Sequence, residues 1–210
     1  MNRLIIIGAS GHGKVVADIA ALNGYTDIVF LDNDASKKVC AGYQVLGPDS
    51  MADSIEGDVF IAVGNAEIRE RLMDRYSDRR FPTLIHPSAT VAVDSIIGEG
   101  TVIMAGAVVN PGAKLGKGCI VNTCASVDHD CVIEDYCHIS VGAHLCGTVR
   151  VGVGTWIGAG STISNNVSIC GGCVIGAGAV VIKDIDQLGT YVGVPAKMIS
   201  KPTLTGGSIA

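Results

Sequence analysis

The chain has 210 residues, of which 48% are hydrophobic, only 4% are aromatic and 28 are glycine; 20 acidic against 15 basic side chains give a formal charge of −5. That length suits one or two domains, and an acidic chain without a basic stripe is a poor partner for nucleic acid or for an anionic membrane surface. The apolar content is also too high for a disordered chain.

The first apolar run, Leu4-Ile5-Ile6-Ile7, is far too short for a signal or membrane segment, so a cytoplasmic protein is expected. It ends in Gly8-Ala9-Ser10-Gly11-His12-Gly13 and leads into a helical pattern from Lys14 to Leu22, stopped by Asn23-Gly24. A second strand, Ile28 to Leu31, runs into Asp32-Asn33-Asp34, and a third, Val59 to Val63, into Gly64-Asn65 before a helix over Glu67 to Tyr76. This β-loop-α-β order is the first part of a Rossmann-like half, in which ligands bind at the carboxyl ends of parallel strands. The glycine order is G-x-x-G-x-G and so departs from the dinucleotide fingerprint G-x-G-x-x-G. Glycines at a helix N-terminus nevertheless let backbone amides approach a phosphate, and Asp32 is placed to accept hydrogen bonds from a ribose or base. A domain of residues 1–83 with three strands is small for a dinucleotide, and a nucleoside diphosphate group fits it better. The competing reading is a tight strand-helix turn without a ligand.

The repeat that follows is the strongest signal in the chain. From Ile85 through Ile97, Val109, Val121 and Ile133 to Val181, every sixth residue is aliphatic, and from Ala89 to Ala179 every sixth residue is small or β-branched. Two interleaved periods of six predict a hexapeptide β-helix over 84–186, with three hexads, about 18 residues, per coil, closed by a capping segment and tail over 187–210. No insertion breaks the register between 91 and 180, so the prism is smooth and a deep site has to lie between neighbouring prisms. Of eight cysteines, Cys119, Cys131, Cys137 and Cys173 fall in the small inward slot, where a thiol behaves as a small hydrophobe. Cys40, Cys124, Cys146 and Cys170 lie elsewhere. Because Cys173 is an inward position, the C-G-G-C spacing at 170–173 is discounted, and all eight read as structural thiols.

Among five histidines, His129 stands in Val127-Asp128-His129-Asp130-Cys131-Val132, third in its hexad, with its ring turned out at a corner. An imidazole beside a carboxylate is what acyl transfer asks for: the ring takes a proton from the nucleophile, and the anion fixes its tautomer and raises its basicity. Asp128 and Asp130 are both candidates for that neighbour, and an ordinary surface histidine among polar turn residues is the plainer alternative. His138 and His144 end their hexads. A three-histidine zinc site on such a prism needs two histidines five apart on one coil and a third two coils away; the spacings here are 9 and 6, which argues against a metal.

Taken together, Gly8-Ala9-Ser10-Gly11-His12-Gly13, Phe30-Leu31-Asp32, Ala62-Val63-Gly64-Asn65, Leu84-Ile85-His86-Pro87-Ser88-Ala89, Asn122-Thr123, the Val127 to Cys131 block and Gly193-Val194-Pro195-Ala196-Lys197 resemble the bacterial sugar acetyltransferases of the sialic-acid O-acetyltransferase family. Within it, the nearest likeness is to enzymes that N-acetylate nucleotide-linked 4-amino-4,6-dideoxy sugars of the bacillosamine and perosamine type. The resemblance covers about residues 3 to 199. It implies a left-handed β-helix, acetyl-CoA as co-substrate, no metal, and a homotrimer with its sites between adjacent prisms. It also implies His129 as general base with Asp130 as the acidic neighbour. Ser10, Gly11, His12, Asp32, Asn33 and Gly64 would hold the nucleotide-sugar, and His138, Gly158, Ala159 and Gly176 would line the acetyl-CoA groove. Some members carry a second acid where this chain has Asn33, which leaves base or ribose selectivity open. A sialic-acid-type sugar O-acetyltransferase, and a non-catalytic nucleotide-sugar-binding scaffold on the same repeat, are the two competing functions.

Overall fold

The computed structural model describes residues 2–200. Its N-terminal part runs β1 (Arg3–Ile7), α1 (Gly11–Leu22), β2 (Asp27–Leu31), β3 (Val39–Cys40), β4 (Tyr43–Gly47), a 3-10 turn (Asp49–Ser54), β5 (Asp58–Ile61) and α2 (Ala66–Arg75). The sheet order is β3-β4-β2-β1-β5. β1 lies at the centre between two parallel partners, so its continuous apolar run is buried on both faces, with Leu4, Ile5 and Ile6 at 0% exposure. The three strands and two helices expected from the sequence are all present. The hairpin β3–β4 is an addition: Ala41 and Gly42, both with positive φ, make the two-residue turn that an antiparallel pair favours. It sits at the sheet edge, half exposed, and so lacks the strong apolar run that would have marked it.

The second part is a parallel β-solenoid. Two-residue strands recur every six residues from Leu84–Ile85 to Val180–Val181 and stack into three sheets. Each pairs with the strand one coil away, as in Ile85↔Ile103, Val109↔Val127 and Leu115↔Ile133. The aliphatic column points inward: from Ile103 to Val181 each member is at most 3% exposed. Ile85, Val91 and Ile97 are only partly buried because they form the first coil, with no coil below them. The small column fills the rest of the core, and its hydroxyls are satisfied internally, Thr101 donating to the Gly116 carbonyl (2.9 Å) and Ser161 to that of Gly158 (2.7 Å). Cys119, Cys131, Cys137 and Cys173 are buried as expected.

A third period of six is written in the backbone. Every sixth residue from Gly100 to Gly178 has a positive φ, the corner conformation that turns one face of the prism into the next. Glycine holds most of these corners, and Cys124, Asp130, Tyr136, Thr148 and Asn166 hold the others against the steric preference of L-residues.

The two parts are packed together. The core around α1 and β1 continues into the outward residues Leu84, Val102 and Ile120 of one prism face, while α2 packs on Tyr136. Asn23 at the end of α1 exchanges two hydrogen bonds with the Ile85 backbone (2.8 and 3.1 Å). Arg69 of α2 is 1% exposed and has backbone carbonyls as its partners: Val63 and Gly64 on its own side, Gly118 and Tyr136 on the prism. Beyond the last hexad, Ile185 bridges to Ile169, Thr190–Val192 stacks in parallel on Val174–Ile175, and Lys197–Ser200 folds back antiparallel. Of the expected tail, 201–210 lies outside the described residues. No described helix is long and apolar enough to cross a membrane.

Candidate active site

His129 stands where the corner geometry and the hexad register bring it out of the prism. Its backbone N–H donates to Asp128 Oδ1 (2.8 Å), which also accepts from Asn110 Nδ2 one coil below (2.7 Å). Asp128 therefore anchors the turn, and the Asn110 amide first, then the His129 N–H, hold its carboxyl below the usual range. The next residue, Asp130, takes the left-handed corner at φ 57°, and this folds its carboxylate back to 2.8 Å from His129 Nδ1. A carboxylate only accepts, so Nδ1 carries the proton and Nε2 is left as the free base. The hydrogen bond to Asp130 raises the pKa of His129 above its ordinary value against desolvation, with the charges of Asp128 and Asp130 adding smaller upward contributions. The ring lies on the corner of the following coil, where a Cβ on Gly147 would come within 2.5 Å of Nε2. The geometry thus separates the two acidic neighbours: Asp130 pairs with the ring, and Asp128 shapes the turn.

The other predicted residues gather around the N-terminal domain. Ser10 precedes α1 without capping it through its side chain, which leaves the first turn of a 12-residue helix without a side-chain cap. Gly8 and Gly13 are required by the fold itself, since a Cβ on Gly8 would meet the Ala62 carbonyl at 2.6 Å and one on Gly13 the Gly8 carbonyl at 2.1 Å. Gly11 and Gly64 differ: a Cβ there would meet nothing within 4 Å, and neither has a positive φ. Asp32 accepts from Ala9 N (2.7 Å), Asp34 N (2.9 Å) and Lys37 Nζ (2.9 Å), so it ties the glycine loop to the end of β2. Those partners hold its carboxyl low against desolvation, the largest single influence. Asn33 is bound to Asp49 through both its amide atoms (3.2 and 3.1 Å). Asp32 and Asn33 line one shallow depression with Lys37, Lys38 and Pro48.

Between the domains, His12 and His138 come close enough to influence each other. Burial, then the Arg69 charge, pushes the His12 pKa down to about 4; burial, then Arg69 and His12, takes His138 to about 3. Both rings are neutral at physiological pH. His12 Nε2 is enclosed without a hydrogen-bond partner among the described residues, and His138 Nε2 faces Asn122 Nδ2 at 3.1 Å. Trp156, one coil on, stacks flat on His138 with centroids 5.8 Å apart. Gly158 and Gly176 share one corner column on successive coils, with Ala159 exposed beside them. Both glycines have internal reasons: a Cβ on Gly158 would meet the Ile175 carbonyl at 2.4 Å, and one on Gly176 the Val192 side chain at 2.7 Å.

These groups do not all meet in one chain. His12, Arg69 and His138 converge at the domain junction, whereas His129 precedes His138 by half a coil and so stands on the other side of the prism. Sequence reasoning missed Arg69, Asn110 and Gly147, and only the last carried a signal: it holds the place of His129 on the next coil.

Residues 3–76 match the model of the PglD N-terminal domain, and residues 94–129 that of the bacterial transferase hexapeptide (six repeats). The chain is 38% identical over 113 residues to UDP-N-acetylbacillosamine N-acetyltransferase of Bacillus subtilis, a match that takes in 50% of this chain and about half of that enzyme (52%). Among solved structures, the acetyltransferase domain of PglB from Neisseria gonorrhoeae is 43% identical at a TM-score of 0.92, covering 95% of this chain and 100% of that one. Perosamine N-acetyltransferase from Caulobacter crescentus, solved with CoA and GDP-perosamine, is 31% identical at 0.91, covering 96% and 98%. The chain therefore belongs to the family of hexapeptide-repeat acetyltransferases that carry a PglD-type N-terminal domain.

Proposed function

We propose that this protein transfers an acetyl group from acetyl-CoA to the 4-amino group of a nucleotide-linked 4-amino-4,6-dideoxy sugar. The His129–Asp130 pair carries this reading: a tautomer-fixed imidazole with a free Nε2 and a raised pKa is a general base for an amine attacking a thioester. The relatives support the substrates, since one is named UDP-N-acetylbacillosamine N-acetyltransferase, another perosamine N-acetyltransferase, and a third is solved in complex with acetyl coenzyme A. The empty space at Gly11 and Gly64 supports a nucleotide diphosphate on the N-terminal domain, because no contact among the described residues demands glycine there and a closely approaching ligand would.

In the reaction, the amine nitrogen attacks the thioester carbonyl while His129 Nε2 takes the amine proton; the tetrahedral species collapses and expels the coenzyme A thiolate, which is then protonated. Alignment of the two substrates contributes most of the acceleration, and base catalysis contributes about 100- to 10,000-fold. Since His129 and the nucleotide loops lie on different sides of one prism, the working unit is a homotrimer in which His129 of one subunit serves the nucleotide-sugar held by its neighbour. Eight free thiols fit a cytoplasmic location. The test is incubation with acetyl-CoA and UDP- or GDP-linked 4-amino-4,6-dideoxy sugars, following coenzyme A release and the mass of the sugar. Acetylated nucleotide-sugar is the expected product; coenzyme A release with none of these acceptors overturns the reading.

A further inference from the structure

We propose that Cys170 and Cys173 form a thiol–disulfide exchange site on the last coil of the prism, taking low-molecular-weight disulfides of the glutathione class. The two sulfurs stand 3.4 Å apart, so the discounted C-G-G-C spacing does bring a thiol pair together. The other core thiols behave differently: Cys119, Cys131 and Cys137 each donate to a carbonyl 3.2 Å away, those of Glu134, Cys146 and Gly152. For Cys173 the nearest partner is the sulfur of Cys170, and its carbonyl, that of Gln187, lies at 3.6 Å. The two cysteines also differ in access. Cys173 is buried, while Cys170 is half-buried and lines an open groove of about 230 Å³ with Glu134, Arg150, Gly152 and Gly171.

Closing the pair from 3.4 Å to the ~2.05 Å of a disulfide brings the two sulfurs together by about 1.4 Å. Gly172, at φ +72°, already turns the chain so that both side chains meet, and the Cys170 backbone is held on both sides, N–H to the Ile185 carbonyl (2.8 Å) and carbonyl to Thr155 Oγ1 (3.1 Å). The Cys170 thiolate attacks one sulfur of the small disulfide, forming a mixed disulfide and releasing one thiol. Cys173 then attacks Cys170 Sγ, gives up its proton and displaces the second thiol. Two protein thiols are oxidised to one disulfide, and one small disulfide is reduced to two thiols. Burial pushes the Cys173 thiol up to about 12, so Cys170 is the first to react.

The experiment treats the full-length protein with graded oxidised glutathione, alkylates free thiols, and follows the 170–173 segment by mass spectrometry. In wild type this segment loses two hydrogens, escapes alkylation, and regains both thiols with dithiothreitol. Cys173→Ser, which places in the inward slot the residue found there at Ser161, should instead accumulate glutathione on Cys170, and Cys170→Ser should leave Cys173 reduced. The proposal is overturned if segment 170–173 stays reduced while the exposed Cys124 is glutathionylated in the same sample, or if the mixed disulfide at Cys170 persists in wild type.

Discussion

His129 makes two contacts that can be separated by mutation, one with Asp130 and one with Gly147. If its Nε2 takes the amine proton, His129→Ala should lower kcat by about 100-fold or more with little change in acetyl-CoA affinity, because the group acts mainly in the transition state. The hydrogen bond from Nδ1 to Asp130, and then the charge of that carboxylate, raise the His129 pKa, so as general base it should set the acidic limb of the pH–rate profile above that of an unperturbed imidazole. Asp130→Asn keeps an acceptor for Nδ1 but removes the charge. It should move that limb to lower pH and cost less than His129→Ala; an unmoved limb means that another group titrates. Gly147 is the second contact. Its φ is not positive, so alanine is allowed by the backbone, and the nearest atoms a Cβ would meet are those of the exposed His129 ring that lies on it. Gly147→Ala should therefore unfold in urea within about 1 kcal/mol of wild type, because the ring can swing into solvent. Yet it should lose about 10- to 100-fold in kcat, because the base is displaced by the order of an ångström. Equal losses in stability and turnover would place Gly147 in the frame of the prism.

At the scale of elements, the solenoid was legible because it is nearly one-dimensional: each inward slot is set by its place in a hexad and by its neighbours on the adjoining coils, so a local period yields the packing. The β1 and β2 strands and both helices were legible for a similar reason, a buried run or stripe ending in glycine, asparagine or aspartate. What escaped was set by geometry across the fold. β3–β4 is held at an edge by its partner strand, and Arg69 finds its acceptors on Gly118 and Tyr136, 49 and 67 residues on, as backbone carbonyls with no side-chain signature. The corner period was visible as recurring glycine, but its exceptions hid it, Asp130 among them. Cys124 is the exception with least compensation, an exposed residue at φ 55° with no side-chain hydrogen bond among the described residues. A left-handed corner costs an L-residue about 1–2 kcal/mol, and glycine returns about half of that through the freedom it gives the unfolded chain. Cys124→Gly should stabilise by about 0.5 kcal/mol in chemical denaturation, and a destabilised variant would assign the thiol a packing role.

At the scale of the molecule, Arg69 joins the two parts through a buried cation with no acid paired to it among the described residues. Burial, its largest influence, lowers its pKa to about 10, so the side chain remains charged at neutral pH. Arg69→Leu would strip donors from four carbonyls at the junction and should cost about 3–5 kcal/mol in urea unfolding; a loss below about 1 kcal/mol would mean that water replaces the guanidinium freely. The placement of His129 opposite the nucleotide loops makes the sharper demand. Gly64→Leu places a side chain in the space beside the β5 loop, where an added Cβ meets nothing within 4 Å, so it should block the nucleotide-sugar and spare both the fold and acetyl-CoA binding. His129→Ala destroys the base and spares the nucleotide site. Each variant alone should be inactive. If each site takes His129 from one subunit and the loops from its neighbour, refolding the two variants together at equal ratio pairs an intact base with intact loops at about a quarter of the sites. Activity should therefore reappear at about a quarter of the wild-type value, reached only after subunits exchange. If the site were complete within one chain, every site in the mixture would carry one lesion or the other, and the mixture would stay as inactive as its parts.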